Sequence, residues 1–242
     1  PKMAPYIHGR RNNPHVIDLR QTMRGLLRAQ NLLFQVASEG KAILWVGTKR
    51  QVKGVIADAG ERTGMPIVTE RWIGGTLTNW STVSNSIKQL KELNAMFESG
   101  DSGQGLTKKE LLDLERRRDK LQLSLGGIAD MGGLPAAMIV IDTNKEAIAV
   151  QEARKLGIPV VAVLDTNCDP ADADYGFPGN DDAARAISLY CNLFADAVLD
   201  GLAESTAGLG VDLGELEDID AMAEADVAVA AEGETAEDTT GA

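Results

Sequence analysis

The sequence predicts an α/β protein: a parallel sheet with helices on both faces, interrupted by a helical hairpin. Three observations carry this. Short apolar runs of strand length alternate with stretches of helical periodicity; two of those runs end in an aspartate, Asp142 and Asp165; and the segment between the two halves changes to a sustained three-four leucine spacing. A helix between two strands carries the chain back to the end where the first strand began, so the strands run parallel, joined by right-handed crossovers.

Taken in order, residues 18–39 read as a helix. Leu19, Met23, Leu26, Leu27, Leu33 and Phe34 fall near one face, Asp18 with Gln21 resembles a capping box, and Gly40 marks the stop. Residues 42–46, Ala-Ile-Leu-Trp-Val before Gly47, suit a strand buried on both faces. A helix over 51–63 and a strand over 66–69 follow. Residues 137–141 and 159–164 repeat the strand pattern, with a helix at 145–156 between them and another at 181–199. In the intervening segment Val83, Ile87, Leu90 and Phe97, then Leu111, Leu114, Leu121 and Leu125, give two helices joined by a Gly-rich turn at 100–105, with Thr107 and Glu110 as a second capping box. The second of these helices carries Lys108, Lys109, Arg116, Arg117, Arg118 and Lys120, too polar to lie wholly in a core, and is expected to project from the sheet domain. The expected organisation is a basic, irregular N-terminal arm (1–17), an α/β domain (18–80 and 126–200), a coiled-coil hairpin insertion (81–125) and an acidic tail (201–242). The tail is expected to be disordered apart from a helix near 216–229.

Charge divides the chain further. Its 24 Lys and Arg against 36 Asp and Glu give a formal charge of −12, which taken whole argues against a nucleic-acid partner. The location of the charge changes that inference. Residues 201–242 hold 12 acidic and no basic residues, so the first 200 are neutral; within them, residues 1–125 hold 20 basic and 12 acidic side chains and residues 126–200 hold 4 and 12. A hydrophobic fraction of 44% is enough for one good-sized core. The longest apolar runs, 136–141 and 158–164, are far too short to cross a bilayer, so a cytoplasmic protein without a membrane partner is expected. The chain opens at Pro1, and an N-terminal piece is expected to precede it. Cys168 and Cys191 lack metal-ligand spacing and read as reduced thiols.

Doubly wound sheets bind ligands beyond the carboxyl ends of their strands, where this chain puts polar loops. None completes an enzyme motif. Only one Gly precedes Lys49, short of a P-loop, there is no Gly-x-Ser-x-Gly elbow, and the two histidines, His8 and His15, are not paired with a nucleophile. Asp165, Asp181 and Asp182 are candidate ligands for a structural divalent metal, but Asp181 and Asp182 follow Gly179-Asn180 at a helix start, where capping is the better reading, and an Asp placed as Asp165 is more often a turn former than a ligand. No other cofactor is indicated. The basic half offers more. Lys2, Tyr6, His8, Arg10, Arg11 and His15 interleave cations with rings, the composition that binds phosphates and stacks on unpaired bases. Lys49 and Arg50 stand near a helix N-terminus, itself favourable for phosphate. Arg71, Trp72, Thr76, Thr78 and Asn79, with Gly74 and Gly75 between two tryptophans, form either a ligand-facing loop or a turn whose tryptophans cap the core.

Several motifs occur here in a specific order: Pro1-Lys2-Met3, Gly47-Thr48-Lys49-Arg50, Arg71-Trp72-Ile73-Gly74-Gly75-Thr76-Leu77-Thr78-Asn79-Trp80, Leu106-Thr107-Lys108-Lys109-Glu110, Leu125-Gly126-Gly127-Ile128 with Asp130-Met131-Gly132-Gly133-Leu134-Pro135, residues 160–170, and Pro178-Gly179-Asn180-Asp181-Asp182-Ala183. Together they resemble the bacterial S-two family of the small ribosomal subunit across residues 1–200. The resemblance implies a Rossmann-like, flavodoxin-like domain with a protruding coiled-coil hairpin, no catalysis, binding of small-subunit rRNA, and support for docking ribosomal protein S-one during translation initiation. It also shifts the 71–79 loop and the N-terminal arm toward RNA or ribosome contact. Family members carry residues ahead of Pro1, including a His-Phe-Gly-His motif, that are absent here.

The leading expectation is therefore a structural ribosomal protein whose basic half grips rRNA while its acidic half faces solvent or protein. The candidate rRNA-binding residues are Lys2, Tyr6, His8, Arg10, Arg11, Lys49, Arg50, Arg71, Trp72, Thr76, Thr78 and Asn79. The alternative is a small-molecule, phosphate-binding α/β enzyme, in which Lys49 and Arg50 hold a phosphate.

Overall fold

The computed structural model describes residues 2–10, 15–99 and 107–207, the side chain of Arg10 excepted. A short antiparallel hairpin, β1 (Ile7–Arg10) and β2 (His15–Ile17), precedes helix α1 (Leu19–Ser38). Strand β3 (Ile43–Val46), helix α2 (Arg50–Thr63) and strand β4 (Ile67–Val68) follow, then the helix pair α3 (Trp80–Glu98) and α4 (Lys108–Leu125). The second half runs β5 (Ala137–Ile141), α5 (Ala147–Leu156), β6 (Val160–Leu164), β7 (Tyr175–Pro178) and α6 (Ala184–Ala207).

The five later strands form one parallel sheet in the order β4-β3-β5-β6-β7. Numbered along the chain, that order is 2-1-3-4-5, the flavodoxin-like arrangement, whose order reverses between β3 and β5. β3, β5 and β6 are buried along their whole length because both sheet faces are covered. Alternate side chains feed two cores. Ile43, Trp45, Ile139 and Val161 pack with α1, α2 and α6, whereas Leu44, Val46, Val140 and Ala162 pack with α3, α5 and Leu125 at the foot of α4. Continuous β-branched runs need no polar alternation in such a sheet.

The ends of α1 follow local chemistry. The Asp18 carboxylate accepts from the Arg20 N–H at 3.0 Å, and Gly40 takes the left-handed conformation at φ 67° just past the helix. Gly25 is required where α1 crosses β7, since a Cβ there would meet the Phe177 Cβ and Cα. On the same face Phe177 makes edge-to-face contacts with Tyr190 and Phe194 of α6, at centroid distances of 5.1 and 5.7 Å. Helix α6 is long and apolar enough by composition to cross a membrane, yet Ile187, Tyr190, Cys191, Phe194 and Val198 are spent on this core. Cys168 and Cys191 are both free thiols and buried.

Helices α3 and α4 pack against each other along Val83, Ile87, Leu90 and the half-buried Leu111, Leu114 and Leu121. The capping box forms as read: Thr107 Oγ1 accepts from the Glu110 N–H, and Glu110 accepts from the Thr107 N–H at 2.8 Å. The Arg118 guanidinium lies 4.6 Å from the Phe97 ring centroid, and Arg117 donates to Gln89 at 2.8 Å. Two of the helix's cations are thus used inside the hairpin.

Several sequence expectations need correction. The N-terminal arm is not irregular: Met3 is 2% exposed and lies in the core, Tyr6 and Ile7 pack beside it, and the hairpin leads into α1. An apolar Met, with Tyr6 and Ile7 packed beside the same core, outweighs the local basic composition. Helix α5 starts at Ala147, because residues 142–146 form a turn capped by the Asp142 side chain. Helix α6 runs from Ala184 to Ala207, into the range read as tail. β7 escaped the reading because Tyr-Gly-Phe-Pro lacks a strand pattern, with Pro tolerated on an edge. The turn at 100–105 and the tail helix near 216–229 lie outside the described residues.

The packing of α1 on β7 gives a direct test. Gly25→Ala should cost about 1–3 kcal/mol by overpacking against Phe177, whereas Gly9→Ala, with open space around the new Cβ, should leave the denaturation midpoint unchanged. Chemical denaturation of both variants measures this; equal midpoints would place the α1–β7 contact elsewhere.

Candidate functional site

At the switch point between β3 and β5 the residues at the two strand ends meet. Gly47 to Arg50 leave β3, while Asp142 leaves β5 with φ 71°, a left-handed conformation that Asp tolerates because its side chain bonds locally. Asp142 Oδ1 accepts from the Asn144 and Lys145 N–H groups, each at 3.1 Å. Its Oδ2 lies 2.6 Å from Lys49 Nζ. The same ammonium is 3.0 Å from Asp182 and 3.2 Å from Asp181. Burial works against the Lys49 charge, but the three carboxylates outweigh it and hold its pKa above the ordinary lysine value. Burial pushes the Asp181 carboxyl upward, Lys49 pulls it down, and Asp142 adds to the rise.

This cluster contains the proposed metal ligands. Ligand atoms of Asp165, Asp181 and Asp182 lie within 4.8 Å of one another, as do those of Asp142, Cys168 and Asp181. Lys49 supplies positive charge to Asp142, Asp181 and Asp182. Its ammonium stands among the carboxylates rather than free for rRNA.

The two loops beside this cluster are held from one helix. Glu146, 3% exposed at the start of α5, accepts from the Thr48 N–H at 2.9 Å and from Thr48 Oγ1 at 2.6 Å. Glu152, one and a half turns further on and 7% exposed, organises the 71–80 loop. Its Oε1 accepts from Trp72 Nε1 at 3.0 Å and from the Gly75 N–H at 2.7 Å. Its Oε2 accepts from the Leu77 N–H at 2.9 Å, the Thr78 N–H at 3.0 Å and Thr78 Oγ1 at 3.1 Å. Gly75, at φ 89°, is the residue whose backbone must turn for its N–H to reach that oxygen. Burial raises the Glu152 pKa, but the Thr78, Trp72, Gly75 and Leu77 donors together hold it below its ordinary value.

The loop therefore has the donor set of an anion site, and its anion is Glu152. Trp72 and Thr76 are buried, at 8% and 2% exposure, with Thr76 Oγ1 donating to the Ile73 carbonyl. Both side chains serve the loop's own packing, which is the core-capping turn that the sequence left open beside the ligand-facing loop. Thr78 is exposed but shares Glu152, and Asn79 Oδ1 accepts from Thr82 Oγ1 at 2.9 Å at the start of α3. Arg71 and Arg50 are exposed at the carboxyl end of the sheet, and His8 is exposed on β1. Lys2 is exposed and pairs with Asp169; Tyr6 is half-buried. Arg11 and the Arg10 side chain lie outside the description. Glu146 and Glu152 were missed by sequence reasoning. The available signal was a carboxylate at position 152 among Ala149, Val150 and Ala153, the face that α5 buries.

Fold and site define a doubly wound α/β scaffold whose switch-point crevice is closed by its own ion pairs. The pattern of ribosomal protein S2 matches residues 1–201. The chain is 70% identical over 232 residues to small ribosomal subunit protein uS2 of Hyphomonas neptunium, covering 96% of this chain and 88% of that one. It is 61% identical over 214 residues to the uS2 of Phenylobacterium zucineum (88% and 72% covered) and 56% over 230 residues to that of Maricaulis maris (95% and 80%). The chain belongs to the ribosomal protein S2 family, a structural component of the small ribosomal subunit and of translation rather than an enzyme. The phosphate-binding enzyme reading is set aside on that ground.

Two outcomes are expected. Glu152→Gln leaves several buried donors facing an amide, costing about 3 kcal/mol and lowering Tm by roughly 6–12 °C. Because the folded pKa lies below the ordinary 4.5, the carboxylate's contribution is complete above that pH and lost as pH falls through the folded value, so the gap between variant and wild type should narrow below pH 4.5 in thermal melts. Lys49→Met leaves Asp142 and Asp181 uncompensated, at a cost of about 3–5 kcal/mol, whereas chelator treatment of the wild type should not move Tm. A chelator-induced fall would return the cluster to a metal.

Proposed function

We propose that this protein binds small-subunit rRNA through cations displayed on internally fixed loops, and that it supports the docking of ribosomal protein S-one and thereby translation initiation. The observation that carries the rRNA reading is the placement of Arg50 and Arg71. Both are exposed at the carboxyl end of the sheet, on loops held from below by Glu146 and Glu152. Guanidinium groups on fixed loops meet phosphates with little ordering cost, since the backbone is set before the partner arrives. His8 and Lys2 add polar reach from the N-terminal segment, Lys2 after release from Asp169. The S-one reading is supported by the family resemblance alone.

Part of the acidic half is paired with the basic half. Lys2, Lys49, Arg62 and Lys91 of the basic half pair with Asp169, with Asp142, Asp181 and Asp182, with Asp196, and with Asp130. Six of the eleven ion pairs among the described residues join the two halves in this way. The cations left over are those available to phosphate.

Titrating binding to transcribed small-subunit rRNA against salt tests this. If about four to six phosphates are engaged, log K should fall against log salt with a slope of roughly −3 to −5, and Arg71→Ala and Arg50→Ala should each reduce it by about one. A salt-independent isotherm would overturn the reading.

A further inference from the structure

We propose that the outward face of α1 is a separate RNA-backbone site, in which Arg20, Arg24 and Arg28 take successive phosphates of one rRNA strand. This rests on the rRNA-binding reading above and extends it to a face that the loop residues do not share.

The three arginines recur every fourth residue, so each guanidinium is offset from the last by about 6 Å along the helix axis. All three are exposed, and none pairs with a carboxylate among the described residues. They lie opposite the buried row of Thr22, Leu26, Ala29 and Leu33. Over its 20 residues α1 contains no Asp or Glu. A merely solvated helix face gains a few tenths of a kcal/mol from each acid placed four residues from a base, and this one forgoes all of them. Arg20 also stands in the first turn, where the helix dipole opposes a cation. A cationic row kept where helix chemistry disfavours it points to a partner outside the chain.

The three arginines line a groove of about 360 Å³ between α1 and β7 at Gly176 and Pro178, with Tyr6 in its lining. Asp18 also lines it, but its carboxylate is occupied by the Arg20 N–H. By helical geometry Leu19, Met23 and Leu27, exposed at 72%, 59% and 56%, flank the arginines on the side away from this groove. Apolar walls on that side lower the local dielectric and strengthen a guanidinium–phosphate contact. Regular spacing, planar bidentate donors and a ring at the groove edge fit a phosphodiester strand better than an acidic protein segment, whose carboxylates follow no fixed repeat.

The test compares wild type, the triple variant R20A/R24A/R28A and its lysine counterpart R20K/R24K/R28K for binding to transcribed small-subunit rRNA across a salt series. The alanine variant should fold with an unchanged Tm, lose affinity on the order of tenfold or more near 0.1 M salt, and lose about two to three from the salt slope. The lysine variant should retain the slope. Wild-type affinity and slope in the alanine variant would overturn this site while leaving the loop reading intact; a wild type without salt dependence would overturn both. An alanine variant that keeps its RNA affinity but fails to enter assembled small subunits would assign the row to a protein contact and overturn the RNA assignment.

Discussion

The structure depends on two buried carboxylates of one helix. A carboxylate removed from water is costly unless hydrogen bonds replace hydration, and a loop whose N–H groups turn inward is costly unless something accepts them. Glu146 and Glu152 settle both demands together. Glu146 takes the Thr48 donors and Glu152 takes the Trp72, Gly75, Leu77 and Thr78 donors, so α5, lying across the sheet, fixes the loops that follow both β3 and β4. Gly75 and Thr78, which resemble parts of a phosphate cradle, are committed to that internal anion. The consequence for function is immediate. At the crevice where a flavodoxin-like sheet would receive a ligand stand Lys49 and its carboxylates, and the loops beside it present their outer surface while their inner donors are taken by Glu146 and Glu152.

The same logic governs the charge distribution. A basic first half and an acidic second half suggested a protein with two electrically distinct faces. Folding instead brings the halves together, because β3 of one half pairs with β5 of the other and the loops at the carboxyl end of the sheet meet across that junction. Lys49 illustrates the result: it leaves β3 and meets Asp142 at the end of β5 and Asp181 and Asp182 after β7. Partly buried ion pairs of this kind add little net stability against apolar packing, yet breaking one leaves an uncompensated charge.

Much of the sheet was legible in the sequence, and the reasons are specific. β3, β5 and β6 are short, β-branched and bounded by Gly or Asp, and the two caps at Asp18 and Thr107 are local motifs read within four residues. β7 was not legible, because an edge strand tolerates Gly and Pro and shows no pattern. The site was legible only as a set of polar loops. Lys49 next to Arg50 reads as a phosphate grip until its carboxylates, some 93 to 133 residues away, are known. The loop at Trp72 reads as ligand-facing or as a core-capping turn until Glu152 is placed beside the Trp72 indole. Those partners are non-local, and no spacing rule connects residue 72 with residue 152.

Pairing within the fold also sharpens what the net charge of −12 means. Residues 1–200 are formally neutral, and among the described residues most of their acids accept from the chain's own lysines, arginines or N–H groups, while Arg20, Arg24, Arg28, Arg50 and Arg71 form no ion pair. The whole deficit belongs to residues 201–242, with 12 acidic residues and no base. Placed beside phosphates that segment would be repelled, and placed beside the α1 arginines it would compete with RNA for them. A chain of net negative charge can therefore bind a polyanion only if its acids and its unpaired cations are kept apart in space. The ion pairs between the two halves accomplish that separation for the first 200 residues, by consuming acids where the cations must remain free.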